Sequence, residues 1–87
     1  MMLNGDQLDE MQERVFKESG LDRSDEDAFW LARVAVVAAH QGAEWSVQKV
    51  ISTLFDLHGV HIPRHQWQAH WKDRWKSLLE AAERLAQ

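Results

Sequence analysis

SVQKVISTLFDLHGVHIPRHQWQAHWKDRWK, residues 46–76, decides how this chain folds. Val47, Val50, Ile51, Leu54, Phe55 and Leu57 follow helical spacing and form the inner face of a helix over 47–57. Ser46 stands in front of it, where a hydroxyl can accept a free first-turn amide. Gly59 supplies the residue that tolerates the left-handed conformation at a helix end, and Pro63 suits the first position of the next helix. Val60 and Ile62 make the intervening turn apolar, which predicts a packed turn. Beyond Pro63, the residues Trp67, Trp71, Trp75, Leu78, Ala82 and Leu85 step by fours and threes, one continuous seam of a helix that reaches as far as residue 86.

Working back toward the start, AFWLARVAVVAA over 28–39 is apolar nearly all round, broken by Arg33 alone. That pattern belongs to a helix covered on several sides. Ser24 with Asp27 three residues on predicts a capping box at its start, and His40-Gln41-Gly42 closes it. Before it, Leu8, Met11, Val15 and Phe16 build one stripe of a helix over 6–18, with Asp6, Asp9 and Glu10 at the positive end of its dipole and Ser19-Gly20 at its close. The expected architecture is a single all-α domain over 1–87: a small four-helix domain with a helix-turn-helix, the last three helices forming the core and the first packed across them.

Composition narrows the functional classes. Eighty-seven residues, 45% of them hydrophobic, suit one folded domain with a modest core. Cys is absent, so packing alone must hold the fold. No apolar run reaches the ~18 residues of a membrane span, and Met1–Leu3 runs straight into acidic residues, so no membrane and a cytoplasmic location are expected. The net charge of −4 hides a split. Residues 1–27 hold nine acids against Arg14, Lys17 and Arg23, whereas residues 45–76 hold Lys49, Arg64, Lys72, Arg74 and Lys76 against Asp56 and Asp73. Four of the five histidines also lie in that second segment. A basic segment inside an acidic chain is compatible with local nucleic-acid binding.

On the last helix, Arg64, His65, Gln66 and Gln68 come first and are all polar or positive. At ~100° per residue His65, Lys72 and Lys76 fall within about a 40° sector, with Gln68 on its flank. Arg and Gln are the residues that grip guanine and adenine edges, and Lys holds phosphate. Lys49, Arg64, His65, Gln68, Lys72 and Lys76 are therefore the candidate DNA-binding residues. An amphipathic helix also needs a wet side for ordinary reasons, and a solvated face accounts for the same residue types.

VQKVISTLFDLHG, VHIP and RHQWQAHWKDRW together resemble the helix-turn-helix of homeodomain-like and transposase-type DNA-binding modules, over about a third of the chain. The resemblance implies that the second helix of the pair enters the groove of double-stranded DNA, with Arg64, His65, Gln68 and Lys72 toward it and Trp67 or Trp71 as the core anchor. It implies a small transcriptional regulator. Where such modules carry a small residue midway through the first helix of the pair, this chain has Thr53-Leu54-Phe55.

Other chemistries find less support. His61 and His65 are four apart with His58 and His70 nearby, but no Cys joins them and carboxylates are sparse there, so no metal site is expected. Gly-rich phosphate loops and nucleophile elbows are absent, and neither an enzyme nor a cofactor is expected. Five Trp residues are many for such a chain, and Trp is concentrated at protein interfaces. The alternative is thus a small acidic protein-interaction module or inhibitor, comparable to phage-encoded anti-host or anti-CRISPR proteins. It would bind a protein partner or a second copy through Trp71, Trp75, Leu78 and Leu85, or use the acidic first third to imitate nucleic acid.

Overall fold

The computed structural model describes residues 4–22, 24–42 and 44–86; Met1–Leu3 and Arg23, used above for the leader and the charge tally, lie outside them. The described residues form four helices and no strand: α1 (Gly5–Ser19), α2 (Glu26–Gln41), α3 (Val47–His58) and α4. The last is continuous but not uniform, with an α-helical start Arg64–Gln66, one π turn Trp67–Trp71 and an α-helical remainder Lys72–Ala86. The all-α class is as expected.

α2 is the helix on which the others rest. Ala28, Leu31, Ala32, Val34, Ala35, Val36 and Ala38 are all buried, on several sides of the helix. α1, α3 and the Lys72–Ala86 part of α4 supply the cover. Ala28, Ala32 and Ala35 of α2 and Ala81 and Ala82 of α4 are essentially inaccessible. Side chains this small let helix axes come near the short end of the usual ~8–10 Å range. Arg74 reaches Asp25 at the start of α2, while Leu79 and Glu83 share a recess with Ala38, Ala39 and Gly42 at its end, so α4 runs alongside α2 in the same direction.

All four helices contribute to the core, but α2 packs chiefly against α1 and the second part of α4, and α3 adds Val50, Ile51 and Leu54 from one side of α2. The expected arrangement, in which the last three helices make the core and α1 crosses them, is changed in that α1 packs closely on both α2 and α4 and shares their core through Val15 and Phe16. The physical reason lies in side-chain size and in polar ties: alanines on α2 and α4 let those two helices come close, and Gln12 and Arg33 bond α1 to α2. α3 buries a narrow stripe, Val50, Ile51 and Leu54, and leaves Phe55 and Leu57 about half exposed, at 51% and 56%. Helical spacing predicts both on its inner face; the structure turns them to solvent. The Leu78–Ala82 side of α4 packs on α1 and α2. Some 23 residues at ~1.5 Å make a helix of about 34 Å, and the molecule's longest dimension is 33 Å, so α4 spans its full length.

The ends of the helices show what local chemistry does. Asn4 caps α1 through a reciprocal box with Gln7, its Oδ1 accepting the Gln7 amide at 2.8 Å and Gln7 Oε1 accepting the Asn4 amide at 3.1 Å. The expected Ser24–Asp27 box does not form. Ser24 donates its amide to Asp22 Oδ1 at 2.9 Å, a turn within the linker, and Asp25 becomes the cap, accepting from Ala28 N at 3.1 Å. Gly59 ends α3 at φ 69°, a conformation that a side chain makes costly. α1 is fastened to α2 by a polar network at a buried residue. Gln12 Nε2 donates to the Phe29 carbonyl at 2.8 Å, and Gln12 Oε1 accepts from Arg33 Nη1 at 3.0 Å, while Arg33 also pairs with Asp9. A buried amide satisfied at both ends avoids the ~1–3 kcal/mol that an orphaned one costs.

Leu78 is wholly buried. Leu78→Ala should lower unfolding free energy by about 2–5 kcal/mol in urea titration, with a loss independent of protein concentration. A loss that grows on dilution would instead place Leu78 in a subunit seam.

Candidate functional site

The outward side of α4 carries the residues singled out for DNA. Arg64, His65, Gln68, Lys72 and Lys76 are all exposed, and among the described residues none of them forms an ion pair. Lys49, in the first turn of α3, is exposed as well; its ammonium lies 4.4 Å from the centre of the Trp45 ring. A cation–π pair at such an exposed site is worth only ~0.5–1 kcal/mol. Arg74 is different. Its Nη1 donates to Asp25 Oδ2 at 3.1 Å and its guanidinium covers the Trp71 ring at 4.8 Å, so this cation is engaged in tying α4 to the start of α2. Sequence spacing had no means of separating Arg74 from its free neighbours, because its partner is 49 residues away.

The π turn changes how these side chains line up. Lys72 donates its amide to the Trp67 carbonyl, five residues back instead of four. A π turn of this kind absorbs one extra residue, so everything beyond it is turned back by one residue's rotation, ~100°. An unbroken helix would place His65 with Lys72 and Lys76. With the extra residue absorbed, Arg64 and Gln68 come into line with Lys72 and Lys76, and His65 is turned about 80–120° away from the two lysines. The expected 40° sector therefore survives with different members, and His65 is exposed on another side. The inner side shifts in step: Trp67 is 1% exposed, and its ring meets that of Trp75 at 6.1 Å.

The residues assigned to a partner or a second copy divide. Trp71, 8% exposed, and Leu78, at 0%, belong to the core and leave almost no surface for a partner; beyond Trp71, α1 and α2 occupy the inner side of α4. Trp75 and Leu85 are half-buried. Of the five Trp residues, Trp67 and Trp71 are buried, and Trp30, Trp45 and Trp75 are partly covered. Among the described residues, the large apolar side chains left most open are Phe55 and Leu57. Phe55 borders a shallow groove with Ile51, Gln48 and His61, and its ring meets His61 edge-on at 6.1 Å.

The histidines do not converge. No group of three His, Asp or Glu side chains among the described residues is placed to hold a metal ion. His58 instead stacks on Trp30, ring centres 4.5 Å apart and 23° from parallel, with a buried Nε2 that has no hydrogen-bond partner. Burial, and then the nearby Arg33 charge, hold its imidazole below the ordinary histidine range. Among the described residues no helix is long and apolar enough to cross a membrane. Comparison with known protein families, with curated proteins and with solved structures finds no match.

His58 gives a pH test. A folded state that resists protonation is at full strength above the unfolded histidine's ordinary value, near ~6.5, and weakens as the pH falls below it. Urea midpoints should therefore drop between pH 7.5 and 5, and His58→Gln should flatten that drop relative to the unmodified chain. Parallel pH profiles for the two proteins would remove His58 as the cause.

Proposed function

We propose that this protein binds double-stranded DNA through the outward side of α4 and serves as a small regulator of transcription. The observation that carries the proposal is the state of the cations: Arg64, Lys72 and Lys76 are exposed and unpaired among the described residues, in a chain whose net charge is −4. Arg14, Lys17 and Lys49 are exposed cations on other helices, but α4 carries three on one side, a local positive surface where a polyanion can bind in spite of the overall charge. Gln68 among those cations adds an amide able to pair with an adenine edge. The order helix, left-handed Gly59, Pro63, helix supports the reading in outline. Residues 59–63 make a turn of five, longer than the three or four residues of a DNA-binding helix-turn-helix, and α3 packs on α2 without a comparable approach to α4. The reading therefore rests on the charged side of α4 more than on the helix pair.

A second reading is favoured by Phe55 and Leu57, whose rings and methyls lie about half open to water. Exposed apolar groups of this size suit a protein partner. In that reading the protein is an interaction module or inhibitor of the kind small phage proteins provide, and α3, not the Trp-bearing helix, is its docking side.

Fluorescence anisotropy with a short duplex at several salt concentrations separates the two. Three phosphate contacts from α4 predict a log–log salt slope of about −2.7, and Lys49 as a fourth brings it to about −3.6. Absence of binding at low salt rules out the DNA reading. Capture of a protein partner that survives Lys72→Glu and fails on Phe55→Ala would establish the other.

A further inference from the structure

We propose that the π turn Trp67–Trp71 is a register device: it sets Arg64, Gln68, Lys72 and Lys76 in a single straight ridge that takes the backbone of duplex DNA, not a single strand. The inference rests on the DNA reading above and specifies its ligand and its geometry.

The geometry follows from one hydrogen bond. Lys72 N–H reaches the Trp67 carbonyl, while Trp67 N–H bonds the Pro63 carbonyl at 3.0 Å in ordinary α fashion. The extra residue is thus confined between them. In an unbroken helix residues spaced by four drift ~40° at each step, which would spread these side chains over about 120°. Absorbing one residue cancels that drift between positions 64 and 72. The four then lie within about 40° of one another over roughly 17 Å of axis. The turn cannot slip back without cost, because the same rotation places Trp67 against Trp75, where it is 1% exposed. Trp71, at the end of the turn, lies under the Arg74 guanidinium that is bonded to Asp25.

The ligand follows from what the ridge carries and lacks. It offers three long cationic side chains and one amide, evenly spaced and free among the described residues. No aromatic side chain stands on it: Trp67 and Trp71 are buried and Trp75 faces the inner side. Single-stranded nucleic acid is gripped by stacking its bases on exposed rings. A line of cations without rings matches a surface whose bases are already stacked and whose phosphates face outward, which is a duplex.

The test keeps composition and net charge constant. Arg64→His combined with His65→Arg moves one charge off the ridge by one residue's rotation. Lys76→Ser combined with Ser77→Lys does the same at the other end, at another exposed pair. Circular dichroism melting confirms that each variant folds. With a short mixed-sequence duplex, each transposition should weaken binding several-fold and reduce the salt slope by about 0.9, the share of one phosphate contact. The matching single strand should bind the unmodified protein more weakly than the duplex. Unchanged or tighter duplex binding by both transposed variants overturns the inference while leaving DNA binding intact, as does equal or tighter binding of the single strand. No duplex binding by the unmodified protein overturns the DNA reading and the inference with it.

Discussion

The burial of Trp67 is the constraint on which the candidate site depends. A helix is a rigid rod at this length, so the azimuth that a core-facing indole takes decides where every residue on the opposite side points. Trp67 meets Trp75 across a π turn, and the rotation that lets it do so is the rotation that brings Arg64 and Gln68 into line with Lys72 and Lys76. Inner packing and outer charge are two results of one backbone adjustment. A π turn is uncommon and is retained where something holds it; here the buried indoles on one side and the Arg74–Asp25 pair on the other do so.

The rest of the molecule serves to present that helix. α2, apolar on most sides, gives α4 a bed of alanines to lie on, and α1 is locked across both by a hydrogen-bonded Gln12 and by the Arg33 and Arg84 ion pairs. Exposed ion pairs contribute little stability individually, ~0–1 kcal/mol. Their value here is geometric, since Glu18–Arg84 joins the end of α1 to the end of α4. They also dispose of cations: Arg33, Arg74 and Arg84 are paired with acids, which leaves Arg64, Lys72 and Lys76 as the open ones on α4. The acidic first third, read as a possible imitation of nucleic acid, is in part committed to this work through Asp9, Glu18 and Asp25.

What was legible in the sequence is what depends on local periodicity and local chemistry. The apolar repeats located all four helices, Ser46 and Gly59 marked the ends of α3, and the run from Ala28 to Ala39 announced a central helix. What was not legible depends on competition or on distance. Ser24 and Asp25 both make good caps, and the turn to Asp22 decides between them. Phe55 fits an apolar stripe equally well whether or not a neighbour covers it. The π turn is the most instructive case. Trp67, Trp71, Trp75 and Leu78 are spaced as an unbroken α-helix would space them, so the sequence pattern conceals the extra residue and, with it, the true membership of the charged line. On an unbroken helix His65 would stand on that line.

The π turn in α4 can be observed directly in solution. Couplings transmitted through hydrogen bonds in solution NMR identify which carbonyl each amide of α4 reaches. The Lys72 amide should couple to the carbonyl of Trp67, five residues back. Coupling to the carbonyl of Gln68, four residues back, would contradict the account: the helix would be unbroken, Arg64 would swing out of line, and the ridge would not exist.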